Sequence, residues 1–506
     1  MTLELLSPAE MGKADRLAIA AGPYDGIGLM RRAGAAVADV VLARFSGAAR
    51  IHVLVGPGNN GGDGYVAARL LHESGAAVSL WASATPRQGG DAALAAAECP
   101  VAPQPLSQLQ AGRGDIVVDA LYGAGLSKPV GGDEAWIIER VNSLGLPVVA
   151  VDLPSGVSGA GGEVLGSAFR AAVTITFARK KPGHLLMPGR EYCGELVLAD
   201  IGITDEIIRQ TGVRTFQNGP DLWRHDLPVP AVDTHKYRRG HVGAFSGGPA
   251  ATGAARLSAM AAARSGAGAV TVLSPANALQ ANAAHLTSIM LRRVDDMADL
   301  SGFLGDRRPS SFVLGPGFGV GDKARDFALG VLAARSGPDG LVLDADGITA
   351  FRDAPERLFE AAGADRAPAL VLTPHEGEFA RLFPDIADDR TLSKLEKARA
   401  AAARSHGTVI FKGPDTLIAA PDARAAINCN GAPWLATAGS GDVLAGIVAG
   451  LMAQGMPSFE AACAAVWLHA EAGSRFGPGL IAEDLPLALV PVLGELLGRR
   501  HQLTNS

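Results

Sequence analysis

Short apolar runs alternate with Ala- and Leu-rich stretches of helical spacing, and the alternation happens twice along the chain. In the first half, IHVLVG (51–56), AAVSLWA (76–82), DIVVDAL (115–121), PVVAVDL (147–153) and AVTITF (172–177) read as strands. In the second half, AVTVLS (269–274), SFVLGPG (311–317), LVLDADG (341–347), LVLTPHEG (370–377) and TVIFKG (408–413) repeat the theme. Runs that are apolar at every position belong to strands covered on both faces, so parallel sheets with crossover helices are expected. The stretch RTFQNGPDLWRHDLPVPAVDTHKYRRG (214–240) breaks the pattern with proline and charge, and reads as the seam between two α/β domains.

Composition narrows the partners. A chain of 506 residues is too long for one ordinary core, and 48% hydrophobic against 19% charged residues supplies two buried sheets. The net charge is −6 and no Lys/Arg stripe occurs, so no nucleic acid partner is expected. The N-terminal MTLELLSPAEMGKADR has neither a basic nor an apolar leader region. The apolar stretch 443–453 is too short and glycine-rich to span a bilayer, so no membrane partner is expected either. Cys99, Cys193, Cys429 and Cys463 lie far apart and read as free thiols of a cytoplasmic protein.

In open parallel sheets, ligands bind beyond the carboxyl ends of the strands. Three acid-bearing loops of the first half fall there: GPGNNGGDG, Asp119 with LYGAGLSKP, and Asp152 with LPSG. Gly56, Gly58 and Gly61 spell the G-x-G-x-x-G of a pyrophosphate cradle. Two features speak against that use. The strand AAVSLWAS lacks the acid that should follow about 20 residues on to hold a ribose, and Asp63 would repel a pyrophosphate lodged in the loop. Oxygen donors without cysteine suit a hard cation instead, on which Asn60, Asp119 and Ser155 can converge. Asn-Gly and Asp-Gly pairs are also ordinary turn formers, which leaves a purely structural alternative.

GPGNNGGDGYVAARLL, VDALYGAGLSKPV, VVAVDLPSGV and TFARKKPGHLLMPG together resemble the NAD(P)H-hydrate epimerase domain over most of residues 1–215. The resemblance implies a Rossmann-like domain that binds the hydrated nicotinamide cofactor beside a potassium ion (K+). It implies potassium at Asn60, Asp119 and Ser155. It implies substrate at Asn59, Asn60, Gly61, Gly62 and Asp63, at Gly123, Ala124, Gly125, Leu126, Ser127, Lys128 and Pro129, and at Asp152. The helix LMRRAG departs from relatives, with Arg31 and Arg32 where a Glu-Asn pair is common. The chemistry needs a proton-transfer carboxylate: inverting a carbon that bears a hydroxyl and a ring nitrogen requires the hydroxyl to leave and return, or the ring to open and close. Asp152 is the expected residue, with a turn-starting role as its alternative.

In the second half, LATAGSGDVLAGIVAGLMAQG (435–455) leads small residues and glycines into a long apolar helix. Amides of Gly439, Ser440 and Gly441 at its start can gather around a phosphoryl group, and Asp442 can take a proton from a hydroxyl nucleophile. An acid favoured in a helix's first turn is the plainer account of Asp442, but it leaves the glycine run unexplained. No G-x-x-x-x-G-K-[ST] occurs, so this is not a P-loop enzyme. HKYRRGHVGAFSGGPAATGAARLSAMAAARSGAGAV, LGPGFG, LDADGI, LTPHEGEF, FKGPDT and ATAGSGDVLAG, in that order, resemble the ribokinase-like ADP-dependent NAD(P)H-hydrate dehydratase over roughly 235–495. The resemblance implies the adenine nucleotide, with Mg2+, at Lys412, Gly413, Pro414, Asp415, Thr416 and Gly441. It implies the hydrate at Ala254, Gly317, His375 and Asp442. His375 reads equally well as a satisfied supporting histidine, and Lys412 as a solvated loop lysine. NGAPWLATAG departs from the usual family pattern at 432–435.

The expected architecture is therefore α/β, two three-layer α/β/α domains at 1–215 and 235–506 with a linker at 216–234. Together the halves resemble the bifunctional NAD(P)H-hydrate repair enzymes, with NADHX, NADPHX and ADP as small-molecule partners and a homo-oligomeric assembly. Water is a poor leaving group and a phosphorylated hydroxyl a good one, so a kinase fold makes a sensible dehydratase. Two rivals remain: a ribokinase-like vitamin kinase fused to a cofactor-binding regulatory domain, and a first half that serves only as a binding module. Intact Asn60, Asp119, Asp152 and Ser155 speak against the second.

Overall fold

Fully apolar runs pair side by side and in parallel, as their lack of alternation demands. The computed structural model describes residues 3–307, 309–334 and 338–503. The chain divides between Thr215 and Phe216 into two units, each built on its own sheet. The first sheet uses β1 (Ile51–Val55), β2 (Val78–Ala82), β3 (Pro103–Pro105), β4 (Ile116–Ala120), β5 (Val148–Val151), β6 (Val173–Phe177) and β7 (Glu195–Ala199), in the order β3-β2-β1-β4-β5-β6-β7. Every residue of β1, β4, β5 and β6 is buried. The order reverses between β1 and β4, which opens a crevice beyond their carboxyl ends. The loops after these two strands carry GPGNNGGDG and YGAGLSKP.

The glycines of the first loop other than Gly58 serve close packing. A Cβ on Gly61 would lie 1.9 Å from the Gly56 carbonyl oxygen, and one on Gly56 would lie 2.0 Å from that of Leu121. One on Gly64 would lie 2.5 Å from Ala120 Cβ, so the helix Asn59–Glu73 sits directly on the strands. Two of the three glycines in the dinucleotide-like spelling, Gly56 and Gly61, are thus explained without a phosphate, while a Cβ on Gly58 would meet nothing within 4 Å. The sequence reading passed over the edge strands β3, which is only PQP, and β7, whose apolar run LVLA is short and only partly buried.

The second sheet uses β8 (Thr215–Gln217), β9 (His241–Phe245), β10 (Ala269–Ser274), β11 (Met290–Arg293), β12 (Ser311–Leu314), β13 (Gly340–Leu343), β14 (Ala369–Leu372), β15 (Thr408–Phe411), β16 (Leu417–Ala419) and β17 (Ala425–Ile427). Its order is β11-β10-β9-β12-β13-β14-β15-β16-β17-β8, parallel from β11 to β15 and antiparallel through β16 and β17. The order reverses between β9 and β12. Against this sheet lies the helix Ser440–Ala453, buried from Val443 to Ala453. Its Gly446 lets the helix Gly253–Arg264 approach, since a Cβ there would lie 2.2 Å from the Ser258 carbonyl oxygen.

The linker expected at 216–234 needs correcting. Phe216 and Gln217 belong to β8, the Asn218 amide donates to the Ile427 carbonyl at 2.8 Å, and Pro220–Trp223 is a helical turn. Trp223 is fully buried and donates through Nε1 to Asn218 Oδ1 at 3.2 Å. Proline and charge dominate the composition there, and two anchors, Asn218 and Trp223, fix the segment in the second unit. Within 216–234, residues 218–219 and 224–234 lie outside helix and strand.

Candidate active sites

In the first unit a cavity of about 830 Å³ opens at the reversal between β1 and β4. It is lined by Asn59, Asn60 and Asp63 from the first loop, by 121–131, by Asp152, and by Lys181 and Phe177. Asp152, at φ 65°, turns the chain sharply after β5. Its Oδ1 accepts from Lys181 Nζ at 2.5 Å and Thr176 Oγ1 at 3.0 Å, and its Oδ2 accepts from the Ala124 amide at 3.1 Å. Burial alone would raise its pKa, but the Lys181 ammonium holds it below the usual carboxylate range. His184 braces the pair: its Nδ1 accepts from the Lys181 amide at 2.8 Å, so Nε2 donates to the Asp152 carbonyl at 2.7 Å. Burial pushes the His184 pKa down to about 4.

Two of the expected cation ligands are in direct contact. Ser155 Oγ donates to Asp119 Oδ1 at 2.6 Å, and the Ser155 amide donates to Oδ2 at 2.7 Å. The Tyr122 carbonyl lies 3.0 Å from Ser155 Oγ. Asn60 borders the next residue, Gly123: a Cβ there would lie 2.8 Å from Asn60 Oδ1 and 3.1 Å from Asp152 Oδ2. Asp119 is wholly buried, which pushes its pKa up to about 6 against the pull of hydrogen bonds from Ser155 and Leu121. Asn60 Nδ2 is buried with no partner. The Ser155 hydroxyl and, next to it, the Tyr122 carbonyl gather at the Asp119 carboxylate, and oxygen donors of this kind suit a hard cation.

Asp63 is raised well above the normal range, by burial first and then by the charges of Asp152 and Asp15. Arg31 and Arg32 do not face the cavity. Arg31 pairs with Glu98, and Arg32 lies over the Tyr24 ring at 4.9 Å. Their helix, Gly26–Arg44, turns Gly26, Leu29, Met30 and Ala33 to the cavity instead.

In the second unit the loops after β13, β14 and β15 meet the start of the helix Ser440–Ala453. Asp344 follows β13 and is 2% exposed. Its Oδ1 accepts from Thr373 Oγ1 at 2.6 Å and Lys412 Nζ at 2.8 Å. Glu378 lies 3.7 Å from the same ammonium. A Cβ on Gly441 would lie 3.4 Å from Lys412 Nζ and 3.6 Å from Asp344 Oδ2, so Gly441, Lys412 and Asp344 converge. Burial, then the charge of Asp344, raises Asp442 to about 6, and Lys412 offsets part of that. Burial would lower the Lys412 pKa, but Asp344, Glu378 and Asp442 together raise it.

Gly439 takes φ 87° and no side chain caps the helix. The Ser440 amide is not free as expected, since it donates to the Thr437 carbonyl at 3.3 Å. Ser258 Oγ, 2.8 Å from the Asp442 carbonyl and 3.1 Å from that of Ala254, ties the two helix starts together. A Cβ on Gly317 would lie 3.5 Å from Ala254 Cβ, so these two expected hydrate residues are neighbours.

Other expected residues are less engaged. His375 caps a helix, its Nδ1 accepting from the Gly377 amide at 3.0 Å, with Nε2 3.2 Å from Glu378 Oε1. The loop 413–416 is self-contained: Thr416 Oγ1 bonds the Gly413 carbonyl at 2.8 Å, and Asp415 pairs with Lys394. Of 412–416, the Lys412 side chain is the one tied to the acidic cluster.

Sequence reasoning passed over Lys181, His184, Asp344, Glu378 and Asp15. Asp344 was findable, because it ends an apolar strand as Asp152 does. Lys181 differs from Lys180 in the sequence only by one position, and the fold alone buries it.

The family described as NAD(P)H-hydrate dehydratase matches residues 243–487, and that described as YjeF-related protein N-terminus matches 26–183. The chain is 35% identical to the bifunctional NAD(P)H-hydrate repair enzyme Nnr of Gloeobacter violaceus, with 97% of each covered. It is 35% identical to the enzyme of the same description from Moorella thermoacetica, over 93% of this chain and 92% of that one. Among solved structures, the ADP/ATP-dependent NAD(P)H-hydrate dehydratase of Bacillus subtilis, co-crystallised with ATP/Mg2+, is similar at 24% identity and a TM-score of 0.49, covering 55% of this chain and 98% of that one.

Proposed function

The chain belongs to the family of bifunctional NAD(P)H-hydrate repair enzymes, and from that premise we propose how its two sites divide the work. The family pairs an epimerase with a dehydratase, and the near full-length match gives this chain both activities. The first unit interconverts the R and S epimers of NADHX and NADPHX in the cavity beside Asp152. The second returns the S epimer to NAD(P)H, using ADP and releasing AMP and phosphate.

The residues in place support this division. In the first unit, Asn59, Asn60, Asp63 and 123–129 border the cavity and hold the substrate, with Gly61 and Gly62 packed behind them, and the Lys181-bound Asp152 supplies fixed negative charge. Asn60, Asp119 and Ser155, with the Tyr122 carbonyl, would hold potassium, which when bound offsets the buried charge of Asp119. In the second unit Asp442, raised to about 6, is largely ionised near neutrality and accepts the proton of the hydrate hydroxyl as a phosphoryl group arrives. Gly441, Lys412 and the loop 413–416 bind the nucleotide, and Ala254, Gly317 and His375 border the hydrate. Mg2+ is commonly held by one or two carboxylates together with phosphates, and Asp344, Glu378 and Asp442 are the carboxylates beside Lys412. The phosphorylated hydroxyl then leaves with help from the ring-nitrogen lone pair. Four free cysteines suit a reducing cytoplasm. No described helix is long and apolar enough to cross a membrane.

One observation carries the reading: a family match across both units, each with its own carboxylate–lysine site. The test is the purified chain with hydrated NADH and ADP. Reduced-nicotinamide absorbance should return with one AMP and one phosphate per cofactor. A vitamin kinase would instead consume nucleotide with a hydroxymethyl pyrimidine or thiazole and ignore the hydrate, and that result would overturn the proposal.

A further inference from the structure

The helix Pro8–Ala21 lays one face along the first unit's cavity, with Pro8, Met11, Gly12, Asp15 and Ile19 at three- and four-residue spacing. Asp15 is the one ionisable residue on that face. Its carboxyl is half-buried and takes no hydrogen bond from any described side chain. Lys181 and Asp152 across the cavity, Asp63 from the helix Asn59–Glu73, and Arg16 on its own helix are the charged groups around it. Burial pushes its pKa up to about 6, the Lys181 charge pulls it down, and Asp152 adds to the rise.

Asp152 is differently placed. Lys181 and Thr176 occupy one of its oxygens and the Ala124 amide the other, so it is held as a carboxylate with no proton to give. Epimerisation by departure and return of the hydroxyl needs both a proton for the leaving oxygen and a negative charge to face the cation left behind. One carboxylate so tied cannot supply both.

We propose that Asp15 is a catalytic residue of the epimerisation, the proton donor to the hydroxyl that leaves the hydrated ring carbon, while the Lys181-bound Asp152 faces the resulting cation. The proposal rests on the epimerase reading of this cavity. Asp15 gives its proton to the hydroxyl oxygen, the C–O bond breaks with its electron pair on that oxygen, and water departs. The ring-nitrogen lone pair becomes a C=N bond and the ring carries one positive charge. Water adds to the other face, forms the new C–O bond and loses a proton, which returns through cavity water to the Asp15 carboxylate. Atoms and charge are restored, and one configuration is inverted.

The test compares full-length Asp15→Asn, Asp15→Glu and Asp152→Asn, with dehydration by the second unit read on the same samples as a folding control. Wild-type epimerisation should decline as pH rises past about 6. Asp15→Asn should lose about 10²-fold in kcat with KM little changed and no such decline, and Asp15→Glu should regain part of the rate. In oxygen-18 water each inversion should carry label into the hydroxyl. A wild-type rate and pH profile in Asp15→Asn, with Asp152→Asn slow, would overturn the role of Asp15 and leave the cavity reading standing. Wild-type rates in both variants would overturn the cavity reading itself. Slow turnover in Asp15→Asn with the pH decline intact would mean a structural role only, and would also overturn the proposal.

Discussion

The two units solve one problem with the same parts in opposite arrangements. Each locks a carboxylate to a lysine beyond its strand ends, Asp152 to Lys181 at 2.5 Å in the first and Asp344 to Lys412 at 2.8 Å in the second. Each keeps a second carboxyl raised to about 6, Asp15 in the first and Asp442 in the second. Beside each locked carboxylate the backbone takes a positive φ without glycine, 65° at Asp152 and 48° at Ala345. The difference is which partner is sealed away. In the first pair the lysine is 2% exposed and the aspartate 17%, and in the second the lysine is 22% exposed and the aspartate 2%. The first site therefore presents fixed negative charge to its ligand, as a cationic ring intermediate requires. The second presents fixed positive charge, as phosphate requires. On the roles proposed above, the proton moves on another carboxyl in both, Asp15 and Asp442.

This mirror can be broken by deleting one partner at a time. Losing the exposed partner strands a buried charge, which costs about 3–5 kcal/mol, whereas losing the sealed partner leaves a charge that water can reach. Asp152→Ala should therefore destabilise the chain more than Lys181→Met, and Lys412→Met more than Asp344→Ala, as read by denaturant unfolding. Equal losses within each pair would erase the contrast.

Crowding should separate the units next. Gly123→Ala places a Cβ 2.8 Å from Asn60 Oδ1 and 3.1 Å from Asp152 Oδ2, so epimerisation should fall about 10-fold with dehydration unchanged. Gly446→Ala meets the Ser258 backbone at 2.2 Å and should cost about 1–3 kcal/mol by overpacking, with its effect on dehydration. Steady-state rates of both activities on each variant decide the matter.

The last contrast is ionic and depends on the ion concentration. Asp119 has its pKa raised to about 6, so its contribution to stability is full below the ordinary carboxylate value and is lost as pH rises through about 6. A potassium ion bound there should recover that loss. Potassium should raise the thermal midpoint more at about pH 7.5 than at about pH 5, by an amount set by its affinity and reaching about 2.7 kcal/mol at a hundredfold excess over Kd. Tetramethylammonium should do neither, and Asp119→Ala should abolish the difference.

How much of this was legible depended on whether the signal was local. Many strands buried on both faces announce themselves as unbroken apolar runs, as β1, β4, β5 and β6 do. The central β9 (HVGAF), opened by His241 and interrupted by Gly243, was passed over along with the exposed edges β3 and β7. Gly56 and Gly61 looked like a phosphate loop because close packing and phosphate binding call for the same residue. Asp119, Asp152 and Asp442 were visible because each stands at the junction of an apolar element and a loop. Their partners Lys181 and Asp15 come from elements remote in sequence, and only the fold shows that a lysine is sealed beneath one acid and that an N-terminal helix brings another. Trp223 was hidden in the same way, an anchor within a stretch whose composition reads as linker.

The claim that two sites on separate sheets do separate work is tested most directly with Asp442→Asn, given the S epimer and ADP. That variant should stop dehydration and leave the first unit running, so the R epimer accumulates to a mixture with no return of reduced-nicotinamide absorbance. Asp152→Asn should do the reverse, consuming S with one AMP and one phosphate per cofactor and stalling on R. Loss of both activities in either variant, with the chain still folded, would contradict the account.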